Sequence, residues 1–387
     1  AEIPDETLFR LAEERGLNPE MTVSIAHGLG WKQLTVRVGF AADMAARNAQ
    51  MTKAAANSRE RQSIVDVGSI PATSQDYYDD TRATQFTSEV LHCSPLSKTT
   101  TDSMNYSSEV TGEPTHAIVL DRTLFYPEGG GQVGDGGQLS GANGEIEIND
   151  TQTVMPGLIV HFGKVKQGNF TLGEKVGAYV HPVRREDTAR NHTSTHLVHA
   201  ALRQVLGTHV RQAGSYVASD KLRFDFTHPQ AVTLKEMKLV QKLVNEKIRA
   251  NARVQSSEDV YTKAIERGAL AFFGDKYEQK VRLVEIANGT TFSFEVCGGT
   301  HVNATGEIGL FKILSEGSTS SGIRRIEAIS YSKADQYVQS KLDEDPPLIL
   351  VGFDSHRAVW GKHVHFPMDI RTQSIWGRID TLWMDKR

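Results

Sequence analysis

The stretch Asp187–Gly207, "DTARNHTSTHLVHAALRQVLG", marks the point where the chain changes its hydrophobic period. Leu197, Val198, Ala201, Leu202, Val205 and Leu206 recur at the spacing of one helix face. Asp187 is expected to cap this helix and Gly207 to stop it. Upstream, from Ala117, the texture is β: "AIVLDRTLFY" alternates, and "GEIEIND", "GLIVHFG" and "EKVGAYV" follow between glycines. Short strands with glycine turns predict a small barrel or sandwich. Downstream, "KLRFDF" reads as a strand. Residues 233–250 read as an amphipathic helix with Leu234, Met237, Val240, Leu243, Val244 and Ile248 on one face. Strands "VRLVEI", "FSFEV", "LFKILSE" and "IRRIEAIS" complete an α+β two-layer pattern.

Toward the ends the texture changes again. Residues 5–16 read as a short amphipathic helix, and 40–62 as a polar helix rich in Ala, Arg and Gln. Residues 66–110 suggest a strand or two between Ser/Thr-rich loops. Three of the four tryptophans fall in the last fifty residues, for which no fold is predicted. The expected division is therefore a helical piece at 1–65, a β-barrel at 66–185, an α+β core at 186–332 and a tail at 333–387.

A chain of 387 residues with 39% hydrophobic and 23% charged residues is globular in composition. It contains no apolar run near the ~20 residues that span a bilayer, and no secretory signal at its start. Two cysteines far apart argue against a disulfide framework. The expected compartment is the cytoplasm, with no membrane partner. The net charge of −4 excludes a generally basic nucleic-acid-coating protein. Residues 183–260 nevertheless hold 13 Lys/Arg against 8 Asp/Glu, compatible with a phosphate-facing surface or a solvated helix face.

The chemistry concentrates in two places. His192 and His196, four apart on the predicted helix, project from one face. Cys297 and His301 lie in "FEVCGGTHV", where Gly298 and Gly299 let the backbone turn so that both side chains converge. Three imidazoles and one thiolate form a donor set that suits zinc, a borderline-soft ion. His199 is a rival ligand, read as a supporting or surface histidine. On a strand, Glu295 shares a side with Cys297, where its carboxylate could orient a water or an amine.

Several motifs together resemble the editing region of alanyl-tRNA synthetases and related free-standing alanyl-tRNA editing proteins. They are "LDRTLFYPEGGGQVGDGG" (120–137), "RNHTSTHLVHAALRQVLGTHVRQAGSYV" (190–217), "LRFDFTHP" (222–229), "CGGTHV" (297–302) and "TGEIGLFKILSEGSTSSGIRRIEA" (305–328). The resemblance implies a two-layer α/β editing domain holding Zn2+, which hydrolyses serine or glycine wrongly esterified to alanine tRNA. It places the zinc ligands on His192, His196, Cys297 and His301. Gln212 stands where the family lines the pocket with a polar side chain, and Thr193 and Thr195 are further candidates to bond a serine hydroxyl. Gly129, Gly130, Gly131 and Gln132 look like an element shaping the approach of the tRNA end. From the residues alone, the same loop also reads as a tight turn.

The expected partners are alanine tRNA and a synthetase catalytic domain in cis or in trans. Nothing upstream leaves room for the class II catalytic domain, so aminoacylation is expected only if that domain is attached. The rival class of function is a tRNA-binding module with a structural zinc, since four protein donors close a tetrahedral shell. A metal-free α+β protein is the third alternative.

Overall fold

The computed structural model describes residues 70–344, apart from 79–81, 97–114, 272–278 and 321, together with residues 22, 23, 31 and 35. The helices expected at 5–16 and 40–62, and the tail beyond residue 344, lie outside the described residues.

The first strands along the chain are β1 (Ser74–Gln75), β2 (Gln85–Pro95), β3 (His116–Leu120), β4 (Arg122–Thr123), β5 (Gly137–Ser140), β6 (Gly144–Met155), β7 (Leu158–Gly168) and β8 (Lys175–Val180). Six of them close a barrel in the order β2-β3-β7-β6-β5-β8, which leaves no open edge. The choice between barrel and sandwich thus falls to the barrel. Ile118, Leu120, Phe125, Leu139, Ile146 and Val176 fill its interior. The short strands β1 and β4 pair in parallel outside it, next to a single 3-10 turn at Asp76–Tyr78.

Helix α1 spans Pro182–Leu206 and starts five residues before the expected cap. Pro182 occupies the first turn, where its missing N–H costs nothing and its fixed φ suits a helix start. Asp187 is therefore inside the helix, and its carboxylate pairs with Arg190 at 2.6 Å. Gly207 ends the helix as expected. The middle of α1 is buried all round, polar residues included. Thr193, Ser194 and Thr195 satisfy their hydroxyls on carbonyls four residues back, at 2.8–2.9 Å.

Beyond α1 come β9 (Gln212–Val217), β10 (Leu222–Thr227), α2 (Leu234–Arg249), β11 (Arg253–Val260), α3 (Tyr261–Glu266), β12 (Lys280–Asn288), β13 (Thr290–Val296), β14 (Phe311–Ser320), β15 (Ile323–Ser330) and α4 (Tyr331–Glu344). A four-stranded sheet runs β14-β15-β10-β9, and a three-stranded one runs β11-β12-β13. One core joins α1 and α2 to the larger sheet through Leu197, Leu202, Phe224, Val240, Val244 and Phe311. A reciprocal capping box between Thr233 and Glu236 opens α2. Leu234 departs from the expected apolar face: it is the first helical residue and 82% exposed, and packing begins with Met237.

The barrel and α1 are tied by a buried ion pair. Arg185 Nε donates to Asp135 Oδ2 at 2.8 Å, and a second guanidinium N–H reaches the same oxygen. Asp135 also accepts the Tyr126 N–H at 2.6 Å. Removing one partner of such a pair costs about 3–5 kcal/mol, because the other charge stays buried.

Candidate metal centre

Helix α1 and the turn after β13 bring His192, His196, Cys297 and His301 together, with their ligand atoms all within 4.8 Å of one another. Cys297 Sγ stands 3.4 Å from His192 Nε2 and 3.3 Å from His301 Nε2. Ligands about 2.0–2.3 Å from a tetrahedral ion lie roughly 3.3–3.8 Å apart; the two sulfur–nitrogen separations fall in that range, and the full set, within 4.8 Å, would draw in slightly round an ion. Gly299 makes the approach possible. A Cβ there would fall 2.0 Å from His192 Cε1 and 2.2 Å from its Nδ1.

Each of the three histidines has an oxygen close behind its Nδ1. The oxygen of Gln132 lies 2.7 Å from His192 Nδ1. His196 Nδ1 lies 3.0 Å from Glu295 Oε2, and His301 Nδ1 lies 3.1 Å from Thr193 Oγ1. Thr193 spends its own proton on Ala189 O and accepts the Val302 N–H at 3.2 Å, so His301 must be the donor to it. This order leaves the Nε2 lone pair of His301 facing the sulfur. Both ring nitrogens of His196 are buried and neither meets a partner with hydrogen-bonding geometry, although Nδ1 stands within ion-pair distance of Glu295. An orphaned imidazole nitrogen beside two further imidazoles and a thiol is what a metal ion would satisfy.

The electrostatics favour a cation. Burial alone would raise the Cys297 thiol, but the neighbouring His192, His301 and His196 hold it well below its usual range, toward the thiolate that binds metal. Burial opposes protonation of His196, yet Glu295 and Cys297 raise its pKa to about 10. Burial and the other imidazoles push His301 down to about 3. Glu295 is held well below the carboxylate range by His196 and His199, against the desolvation that would raise it.

Glu295 is 4% exposed, and its Oε1 also accepts from Ser293 Oγ at 2.9 Å. His199 is buried rather than a surface residue, with Nδ1 3.1 Å from Glu295 Oε1. A cavity of about 480 Å³ opens beside the cluster, bordered by His192, His196 and Cys297 and by Thr195, Gln212 and Glu295. Thr193 is not among the bordering residues. Gln212 Nε2 donates to Ser215 Oγ at 3.0 Å, and that hydroxyl donates to Gly130 O at 3.1 Å.

The glycine loop contributes in two ways. Gly129 and Gly130 border the cavity. Gly130 and Gly131 adopt φ of +60° and +88°, as a primed tight turn requires. Gln132 is fully buried, does not border the cavity, and reaches His192 with its amide. Tyr78 and Arg282, which the sequence did not single out, brace the Cys297 turn. Tyr78 Oη donates to Gly298 O at 2.7 Å, and Arg282 donates to Cys297 O and Gly299 O at 3.0 and 2.9 Å. Their distance along the chain from the turn leaves no local signal.

A barrel and an α+β layer beside a His₃Cys cluster define a class of two-part proteins with a candidate metal centre next to an open pocket. Comparison narrows the class. The family model for tRNA synthetases class II (A) matches residues 1–184, and that for the threonyl and alanyl tRNA synthetase second additional domain matches residues 281–327. An alanine–tRNA ligase of Chloroflexus aurantiacus is 43% identical over 351 residues, covering 88% of this chain and 38% of the relative. One from Desulforamulus reducens is 39% identical over 344 residues, with 89% and 38% covered. One from Xanthomonas campestris pv. campestris is 48% identical over 221 residues, with 57% and 25% covered. The chain belongs to the alanyl-tRNA synthetase family and spans less than two fifths of the length of these relatives.

Proposed function

We propose that this chain is a zinc-dependent deacylase that hydrolyses serine or glycine esterified to alanine tRNA. The observation that carries the reading is the cavity itself: three of the four candidate ligands open into it, alongside the polar side chains of Gln212 and Thr195. The resemblance of motifs supplies the substrate class.

His192, His196, Cys297 and His301 would hold the zinc. When bound, zinc supplies positive charge to anchor the aminoacyl group or polarise its ester. The net reaction is simple. Water adds its oxygen to the ester carbonyl carbon, the bond to the ribose oxygen breaks, and that oxygen leaves with a proton from the water. Gln212 offers its amide oxygen to a serine hydroxyl or amino group. Thr195 gives its proton to Asn191 O at 2.9 Å and keeps lone pairs to accept another. Thr193 has no such freedom, and its task is to hold His301. Glu295, with both oxygens engaged, acts as a positioning group for His196 rather than as a base.

Editing answers a limit on discrimination, because a binding pocket cannot strongly reject a smaller or near-isosteric side chain. A second pocket that bonds the serine hydroxyl supplies the missing selectivity. Lys235, Lys238, Lys242 and Arg249 are exposed along α2 and favour a polyanionic partner. Among the described residues, no helix is long and apolar enough to cross a membrane, and the proposed compartment is the cytoplasm. Aminoacylation would require a class II catalytic domain, in cis or in trans.

The test is release of serine from Ser-tRNA(Ala) compared with release of alanine from Ala-tRNA(Ala). Rapid loss of serine and retention of alanine are expected. A second reading rests on the four donors, which close the shell of a structural zinc. Tight tRNA binding with an intact seryl ester would favour it.

A further inference from the structure

We propose that Gln132, carried by the barrel, is a positioning residue of the metal centre: it fixes the tautomer of His192 and clamps the turn that bears Cys297 and His301. The proposal rests on reading the four side chains as a metal centre, and it moves Gln132 from the path of the tRNA end to the support of a ligand.

The backbone N–H of Thr300 fixes the orientation of the amide. It lies 2.9 Å from Gln132 Oε1, and since an N–H can only donate, that atom must be the amide oxygen. The assignment holds without reference to the histidine. Gln132 Nε2 then donates to Thr300 Oγ1 at 2.9 Å. The same oxygen lies 2.7 Å from His192 Nδ1, so Nδ1 carries the proton. Nε2 is left with its lone pair, on the side where Cys297 Sγ stands 3.4 Å away. One amide therefore presets a ligand on α1 and holds the chain between the two ligands of the Cys297 turn.

The glycines fix the loop that carries this side chain. Gly129 and Gln132 exchange backbone hydrogen bonds of 3.1 and 2.9 Å across the tight turn. Val217 N donates to Gly131 O at 2.8 Å, and Val133 N donates to Val217 O at 3.0 Å, which latches the loop to β9. A Cβ on Gly131 would fall 2.3 Å from Ser215 Oγ and 2.6 Å from Ser215 O. The loop backbone is pinned on both sides of Gln132, whose side chain is fully buried with its amide on His192 and Thr300. It follows that the barrel is part of the metal site, and that the α+β core alone lacks one of the groups that order it.

Outer groups that orient ligating histidines are typically worth about 10–100-fold in metal affinity. The experiment compares the full chain with Gln132→Leu and Gln132→Glu, reading zinc affinity by chelator competition and the ligand-field spectrum of the cobalt-substituted protein. Gln132→Leu is expected to bind zinc about 10–100-fold more weakly and to shift the cobalt spectrum. Gln132→Glu keeps an oxygen for Thr300 N and His192 Nδ1 and is expected to restore both. A folded Gln132→Leu with unchanged affinity and spectrum overturns the proposal. The ring nitrogen spectrum of the unmutated protein tests the same point without requiring any variant to fold: His192 should carry its proton on Nδ1, and a proton on Nε2 overturns the proposal. If the unmutated protein takes up no metal, the reading of the cluster fails. The tautomer of His192 still decides for or against Gln132.

Discussion

Glu295 bridges two histidines of α1, with Oε2 3.0 Å from His196 Nδ1 and Oε1 3.1 Å from His199 Nδ1. A carboxylate so placed orients the ligand and raises its basicity. Glu295→Ala is therefore expected to weaken zinc binding by about 10–100-fold in chelator competition, with Glu295→Gln much milder. Equal affinity in Glu295→Ala would return the carboxylate to the role expected from its strand position, that of orienting a water.

The two glycines of the Cys297 turn are not equivalent. A Cβ on Gly298 would meet Tyr78 Oη at 3.2 Å, whereas one on Gly299 would meet the His192 ring at 2.0 Å. Gly299→Ala should abolish stoichiometric zinc uptake, and Gly298→Ala should leave it near normal. Metal content of the two purified variants, beside their circular dichroism, checks the contrast.

His161 provides a pH probe within the barrel. Its Nε2 lies 2.8 Å from Thr123 Oγ1 and its Nδ1 3.2 Å from Ile118 O, in full burial. Burial pushes its pKa from 6.5 down to about 4, outweighing the carbonyl bond that favours the proton. Between these values the unfolded chain binds a proton that the folded chain does not. Stability is therefore lost as pH falls through that window, by about 3 kcal/mol at its lower end. His161→Gln should flatten the urea midpoint between pH 6.5 and 4 relative to the unmutated protein. Parallel curves for the two would contradict it.

Gln212 is the proposed contact for the serine hydroxyl. Gln212→Ala should slow hydrolysis of the seryl ester about tenfold, the effect of one lost hydrogen bond, and slow the glycyl ester less. Single-turnover rates on the two esters give the ratio. Equal slowing would assign Gln212 to the shared part of the substrate.

Much of the centre is legible in the sequence because its periods are local. The four-residue spacing of His192 and His196 identifies a helix face, and two glycines between Cys297 and His301 identify a turn. The true helix start escapes the apolar pattern that points to Asp187, because Pro182, an acceptable first-turn residue, lies beyond that pattern. The surroundings of Thr193 are hidden for another reason: three partners engage its hydroxyl, and two of them, His301 and Val302, come from more than a hundred residues away. The position of Gln132 is equally hidden, since its partners His192 and Thr300 are 60 and 168 residues distant. Spacing finds candidate ligands within one element; the groups placed to orient them arrive through tertiary contact.

The central claim, that the His₃Cys centre serves ester hydrolysis, is tested most directly by one rate. Ser-tRNA(Ala) is incubated with the zinc-loaded chain, with the chain stripped by chelator, and with the stripped chain reloaded. Serine release is predicted to run well above buffer, to be lost on stripping and to be restored by zinc. A loaded, folded protein that binds the tRNA and leaves the ester intact would contradict it.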